Sequence, residues 1–267
     1  MGRGLVMVVA IAMLGALVAA ATSGAALKTR SASVALEANE VGSATAQCKR
    51  GTKAVSGGFE MPEFSAIFEA VRVGKRKWTV TGRTPGLEAG TLTTFVYCDK
   101  SRPRLKEKSS EVPFDSETTT ASATAKCKRG SEAVSGGFSS DPQFPPNAVA
   151  LRRDGKRRWT ASAINPGSTG TFTAFVYCDK SEPGLKARST TVAIGDFDPG
   201  SATTKCKRGT ELVSGGFSSP EAMISGFPGP AVIVNASHRE GKRGWTASGL
   251  GGAGGGSLTV HAYCRKK

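Results

Sequence analysis

Histidine is nearly missing from this 267-residue chain: only His238 and His261 occur, both in its last third. A nucleophilic serine needs a base within hydrogen-bond reach, and histidine is the usual one. Most of the chain therefore lacks the parts for such a site. No two of the six cysteines have the Cys-x-x-Cys spacing of a zinc site, so no metal-ligand set stands out and no cofactor is expected. Past Ala21 no apolar run approaches the ~20 residues of a membrane-spanning helix, so the mature chain is expected to have no transmembrane span. Nor does any segment carry the 3.6-residue periodicity of an amphipathic helix.

The N-terminus departs from this pattern. Arg3 precedes an uncharged run from Leu5 to Ala21, and the small residues Ser23-Gly24-Ala25-Ala26 follow. A positive start, an apolar stretch and small residues predict a secretory signal over residues 1–26, the alternative being an uncleaved anchor. In both cases the chain from Leu27 onward is expected outside the cytoplasm, secreted or associated with the cell envelope. An even number of cysteines in an exported chain predicts disulfides. Lys and Arg number 36 against 21 Asp and Glu, a net charge of +15. Arg3 is the leader's only charge, which leaves the mature chain near +14. That excess favours an anionic partner, such as an anionic polysaccharide, another envelope polyanion or nucleic acid, without choosing among them.

Five landmarks recur three times in fixed order. Leu-Lys-x-(Arg/Lys)-Ser begins at Leu27, Leu105 and Leu185. Cys-Lys-Arg-Gly begins at Cys48, Cys127 and Cys206, and Val-Ser-Gly-Gly-Phe at Val55, Val134 and Val213. Gly-Lys-Arg-x-Trp ends at Trp78, Trp159 and Trp245, and Tyr-Cys ends at Cys98, Cys178 and Cys264. A repeat of this kind defines the units: module 1 over 27–104, module 2 over 105–184 and module 3 over 185–267. A duplicated unit most simply carries its own bridge, which predicts Cys48–Cys98, Cys127–Cys178 and Cys206–Cys264. Each closes a long loop, for which the chain-entropy model gives about 4 kcal/mol. For a unit of this size, with a thin core, that decides whether it folds.

These landmarks resemble those of a group of exported bacterial proteins, without an assigned activity, in which Cys-x-x-Gly…(Ser/Gly)-Gly-Gly-Phe…Trp-Thr…Tyr-Cys modules follow a signal peptide. The resemblance spans nearly the whole mature chain. It implies export and the module boundaries, and nothing catalytic. Single-copy members of the group imply modules that stand alone.

Within a module the hydrophobic period is two. Leu92, Thr94, Val96 and Cys98 share one face of the last strand, and Trp78 and Val80 share one face of another, with Lys77, Thr79 and Thr81 opposite. Gly74, Asp154-Gly155 and Glu240-Gly241 mark hairpin turns. With strands at Ser31–Leu36, Ser43–Cys48 and Val55–Phe59, six short strands per module are expected. The fold class is all-β: three tandem disulfide-closed modules, each a small antiparallel sandwich-like unit. The rival is a closed threefold β-prism with one sheet per repeat, and residues 105–184 are expected to fold alone if the modules are beads.

For chemistry, the three tryptophans are expected in the core, because Trp bodies are mostly buried and a nearby Gly-Gly leaves room for a ring. Ser56, Ser135 and Ser214 are expected at a bulge and not as nucleophiles. The acidic pairs Glu37/Glu40, Asp115/Glu117 and Asp196/Asp198 are too few for Ca2+, which takes six to eight oxygens, and are expected in turns. What rises above background is basic charge placed three times in one context. Lys49-Arg50, Lys128-Arg129 and Lys207-Arg208 follow the first cysteines. Lys75, Arg76 and Lys77, then Lys156, Arg157 and Arg158, then Lys242 and Arg243 fill the hairpins. The leading expectation is a non-enzymatic exported protein that binds an anionic polymer at the cell envelope through these clusters. The alternatives are a structural or matrix protein whose charge serves solubility, and a hydrolase with one active module using His238 or His261.

Overall fold

The computed structural model describes residues 27–84, 86, 88–101, 104–140, 147–165, 167, 169–181, 183–224 and 227–266. The expected signal at 1–26 lies outside them. Among the described residues every regular element is a β-strand. Module 1 contributes β1 (Lys28–Leu36), β2 (Val41–Gln47), β3 (Lys53–Glu60), β4 (Ala66–Val73), β5 (Lys77–Arg83) and β6 (Gly90–Asp99). Module 2 repeats the series as β7 (Lys106–Phe114), β8 (Thr120–Lys126), β9 (Glu132–Ser140), β10 (Asn147–Asp154), β11 (Arg158–Ile164) and β12 (Gly170–Asp179). Module 3 gives β13 (Lys186–Ile194), β14 (Pro199–Lys205), β15 (Thr210–Ser218), β18 (Val232–Glu240), β19 (Gly244–Gly251) and β20 (Gly256–Lys266). It adds one hairpin, β16 (Glu221–Ile224) with β17 (Phe227–Pro230).

Inside each module two three-stranded sheets lie face to face. In module 1 these are β1-β6-β3 and β2-β5-β4. Their facing sides follow from the two-residue period: Leu92, Thr94 and Val96 of β6 are fully buried, as are Trp78 and Val80 of β5. The modules are thus disulfide-closed and sandwich-like, and the bridges are Cys48–Cys98, Cys127–Cys178 and Cys206–Cys264. Three such bridges fit an oxidising environment.

The sheets do not stop at the module boundary. They run β1-β6-β3-β18-β19-β14, β2-β5-β4-β9-β12-β7 and β13-β20-β15-β10-β11-β8, antiparallel throughout. Each therefore joins half of one module to half of another, through β3–β18, β4–β9 and β10–β15. There are three sheets, as in a prism, but none belongs to a single repeat. Each disulfide ties two sheets together, since Cys48 directly follows β2 of one sheet and Cys98 lies in β6 of another. The other two bridges link the remaining sheet pairs in the same way, so every sheet is tied to both others.

The Val-Ser-Gly-Gly-Phe motif builds the centre. The register slips by one residue at Val55, Val134 and Val213, a bulge in each module. The serine hydroxyl beyond each bulge donates to the bulged carbonyl of another module: Ser56 to Val213, Ser135 to Val55 and Ser214 to Val134, at 2.7, 2.5 and 2.5 Å. These bonds close a ring around all three repeats. The first glycine of each motif leaves space for its own module's tryptophan ring, and the second admits the backbone of a strand of the preceding module, module 3 standing before module 1 in the ring. Phe59, Phe138 and Phe217 then fill the interior, each at most 2% exposed.

A candidate anion-binding end

Strand direction places every basic cluster at the same end of the molecule. The Cys-Lys-Arg-Gly loop lies against the hairpin turn of its own module: the Cys48 amide donates to the Arg76 carbonyl at 2.8 Å and that of Ala54 to Lys75 at 3.0 Å. Cys127 to Arg157, Ala133 to Lys156 and Cys206 to Arg243 repeat the arrangement. Glycines in the left-handed region set both bends, with φ of 84° at Gly51 and 62° at Gly74 and close equivalents in the other copies. Because β4, β10 and β18 pair antiparallel with β9, β15 and β3, the three cysteine ends point the same way.

At this end Lys49, Arg50, Lys75, Lys77, Lys128, Arg129, Lys156, Arg158, Lys207, Arg208 and Lys242 are exposed. Arg76, Arg157 and Arg243 are half-buried. The acidic turns sit at the far end, between β1 and β2, β7 and β8, and β13 and β14. They do turn work there: Asp115 Oδ1 accepts the amides of Glu117 and Thr118 and the Thr118 hydroxyl, which hold its carboxyl below the usual range. The Glu37 amide donates to Glu40. The molecule is therefore polarised, cationic at the cysteine end.

Three carboxylates at the cysteine end, Asp99, Glu132 and Glu211, are buried and paired. Arg265 bridges Asp99 and Glu211 at 3.0 and 3.1 Å, both carboxylates being 2% exposed. Arg153 meets Glu132 at 2.6 Å. One ion pair at the surface, Arg158 with Asp154 at 2.9 Å, is half exposed and contributes little.

One set of arginines belongs to a different category. Arg72, Arg153 and Arg239 lie directly across their hairpins from Trp78, Trp159 and Trp245, so they point inward with the ring. Their backbone amides donate to a tyrosine hydroxyl of another module: Arg72 to Tyr177, Arg153 to Tyr263 and Arg239 to Tyr97, at 2.6–2.7 Å. Burial pushes those phenols far above their ordinary pKa. Each tyrosine also meets the tryptophan of that neighbouring module edge-on, as with Trp78–Tyr177 at 5.7 Å. These arginines are joints between modules. Pairing the hairpin about Gly74, which sets Arg72 opposite Trp78, would have singled them out in the sequence.

The histidines sit on the wetter side of the sheets. His238 packs against Phe95 at 5.1 Å. His261 Nε2 lies 3.1 Å from Ser218 Oγ, beside a pocket of about 420 Å³ that also holds Arg152. Burial and Arg152 pull the His261 pKa down to about 4, which makes it a weak base near neutrality. Ser56, Ser135 and Ser214 spend their hydroxyls on the central ring. Among the described residues no helix is long and apolar enough to cross a membrane, and no three His, Cys, Asp or Glu side chains cluster as a metal site would need. No model of a known protein family matches the chain, and no curated protein matches it significantly.

Proposed function

We propose that this is an exported, non-enzymatic protein that binds an anionic polymer, an anionic polysaccharide or other envelope polyanion, with its cysteine end. The observation that carries the proposal is the hydrogen bonding of each Cys-Lys-Arg-Gly loop to its own Gly-Lys-Arg hairpin, which gathers three double clusters at one end. Three sites on one frame bind a polymer far more tightly than each does alone. The buried pairing of Asp99, Glu132 and Glu211 supports this further, since those carboxylates are engaged with internal arginines. The leader pattern at residues 1–26, the disulfides and the resemblance to exported modular proteins support export.

Retention on a heparin or polyphosphate resin tests the proposal. Replacing Lys156, Arg157 and Arg158 together by Gln should lower affinity and reduce the salt slope by about two to three, as expected for that many lost phosphate or sulfate contacts. An equal loss of slope on changing three basic residues outside the clusters, Arg30 and Arg188 among them, would make the clusters ordinary solvated turns and leave the structural reading in first place.

A further inference from the structure

The three joints between modules are built alike, and one differs in charge. At the joint of modules 2 and 3, the Glu132 carboxylate, 1% exposed, accepts the amides of Gly184 and Leu185 at 2.6 and 2.9 Å and the Arg153 guanidinium at 2.6 Å. Arg153 also donates to the Leu185 and Lys156 carbonyls. At the joint of modules 3 and 1, Glu211 accepts the Leu27 amide at 3.0 Å. Arg239 there donates to the Leu27 and Lys242 carbonyls. In both, a buried carboxylate receives the first strand of the following module, next to an inward-pointing arginine.

At the joint of modules 1 and 2 the corresponding residue is Lys53. Arg72 takes the place of Arg153, Arg104-Leu105 that of Gly184-Leu185, and Lys75 that of Lys156. Among the described residues the guanidinium of Arg72 makes one hydrogen bond, to the Lys75 carbonyl at 3.4 Å, where that of Arg153 makes three. A pocket of about 460 Å³ opens at this joint, lined by Lys53, Arg72, Lys75, Arg104, Leu105 and Lys106. The sister pocket at the joint of modules 2 and 3, about 480 Å³, includes Glu132. Among the described residues, then, one pocket is lined by five cations and no carboxylate, and its sister carries its own anion. Glu107, exposed on β7 opposite Tyr177, offsets Arg72 from the strand surface, and Asp99, which faces Lys53 across β3 and β6, is engaged by Arg265.

We propose that the joint of modules 1 and 2 is a discrete binding site for one tetrahedral oxyanion, a phosphate or sulfate group, supplied from outside in place of the carboxylate that the sister joints carry internally. Arg72 supplies a planar donor pair suited to an oxyanion, and Lys53, Lys75, Arg104 and Lys106 supply charge. The site goes beyond polymer binding, because it takes a single group at one joint and not at the other two.

The test uses the full oxidised chain with inorganic phosphate and inorganic sulfate as probes, read by calorimetry and by thermal shift. The wild type should bind one anion per chain and melt higher as phosphate rises. Lys53→Glu installs the residue of the sister joints. It should melt higher than wild type without phosphate and lose at least about tenfold in anion affinity, as expected for a new fixed negative charge in the site. Glu107→Thr, the residue at position 29 of module 1, should bind more tightly than wild type. If Lys53→Glu folds poorly, Arg104→Gly serves instead, since Gly184 holds that place in module 2, and a several-fold loss is expected. Phosphate affinity unchanged in both variants overturns the proposal, as does a wild type with no saturable site. Failure here and failure of polymer binding are separable. The Lys156, Arg157 and Arg158 triple should keep phosphate binding while losing resin retention, and Lys53→Glu should do the reverse. Free anion and polymer end-group are told apart by comparing inorganic phosphate with short polyphosphate on Lys53→Glu.

Discussion

His261 occupies a place where modules 1 and 2 carry Phe95 and Phe175. Its lowered pKa, about 4, comes from burial first and from Arg152 second. An unfolded histidine titrates near 6.5. Above that value both states are neutral and the residue leaves stability unchanged with pH. Between about 6.5 and about 4 the unfolded state binds the extra proton, so stability falls as pH falls through this window and levels off below it. His261→Phe should remove that part of the decline, and the difference between variant and wild-type denaturation midpoints at pH 7 and pH 4.5 measures it. Equal pH dependence in the two proteins would show that His261 is more solvated than its packing indicates. At this scale the sequence was informative wherever period two applied: the tryptophans and the Leu92, Thr94, Val96 face are buried as expected. It was silent on the joint arginines, because a charge count carries no direction. It was silent too on Lys53, whose meaning depends on the Glu132 and Glu211 joints being seen together.

Among the elements, the central strands carry the architecture. The contact of β9 with β4 is short, Glu69 opposite Ser139 and Ala70 opposite Phe138, yet it continues one sheet from module 1 into module 2. Gly137 permits it: a methyl group there would lie inside the Ala70 carbonyl, which is backbone and cannot swing away. Gly137→Ala should therefore cost about 3 kcal/mol or more, in the range of severe backbone and packing clashes. Gly130, with open space around it but a φ of 72°, should lose only about 1 kcal/mol on the same change. Chemical denaturation with disulfides intact compares the two, and equal costs would remove Gly137 from the joint. Strand existence and facing were legible from alternation, and the three bridges from repetition. Which strand continues which sheet was not. Three repeats with the same landmarks offer β4 the same kind of partner within a module and across modules, and local pattern does not rank the two.

For the whole molecule, the ring of Ser56, Ser135 and Ser214 bonds and the shared sheets bear on whether a module can stand alone. Residues 105–184 keep their own bridge, Cys127–Cys178, and both of their three-stranded sheets. Cut from the chain, they expose the edges of β9 and β10, which β4 and β15 cover in the intact protein. They also leave the Ser135 hydroxyl and the Val134 carbonyl without their partners in the other modules. Bare edges of this kind seek a strand, and a threefold set of copies supplies it, since β10 of one copy can pair with β9 of the next as it pairs with β15 here. Module 2 is equipped for this because it holds both Glu132 and Arg153, and its own Leu105 can stand where Leu185 stands. The oxidised fragment is therefore expected to fold as a closed trimer, with a melting temperature that rises with concentration. Sedimentation equilibrium and melts at several concentrations decide the matter. A folded monomer with a concentration-independent melt would mean that the modules are self-sufficient beads and that the shared sheets are a convenience of tandem linkage. The same fragment of module 1, residues 27–104, should trimerise more weakly, since it would place Lys53 at all three joints, and added phosphate should narrow the gap.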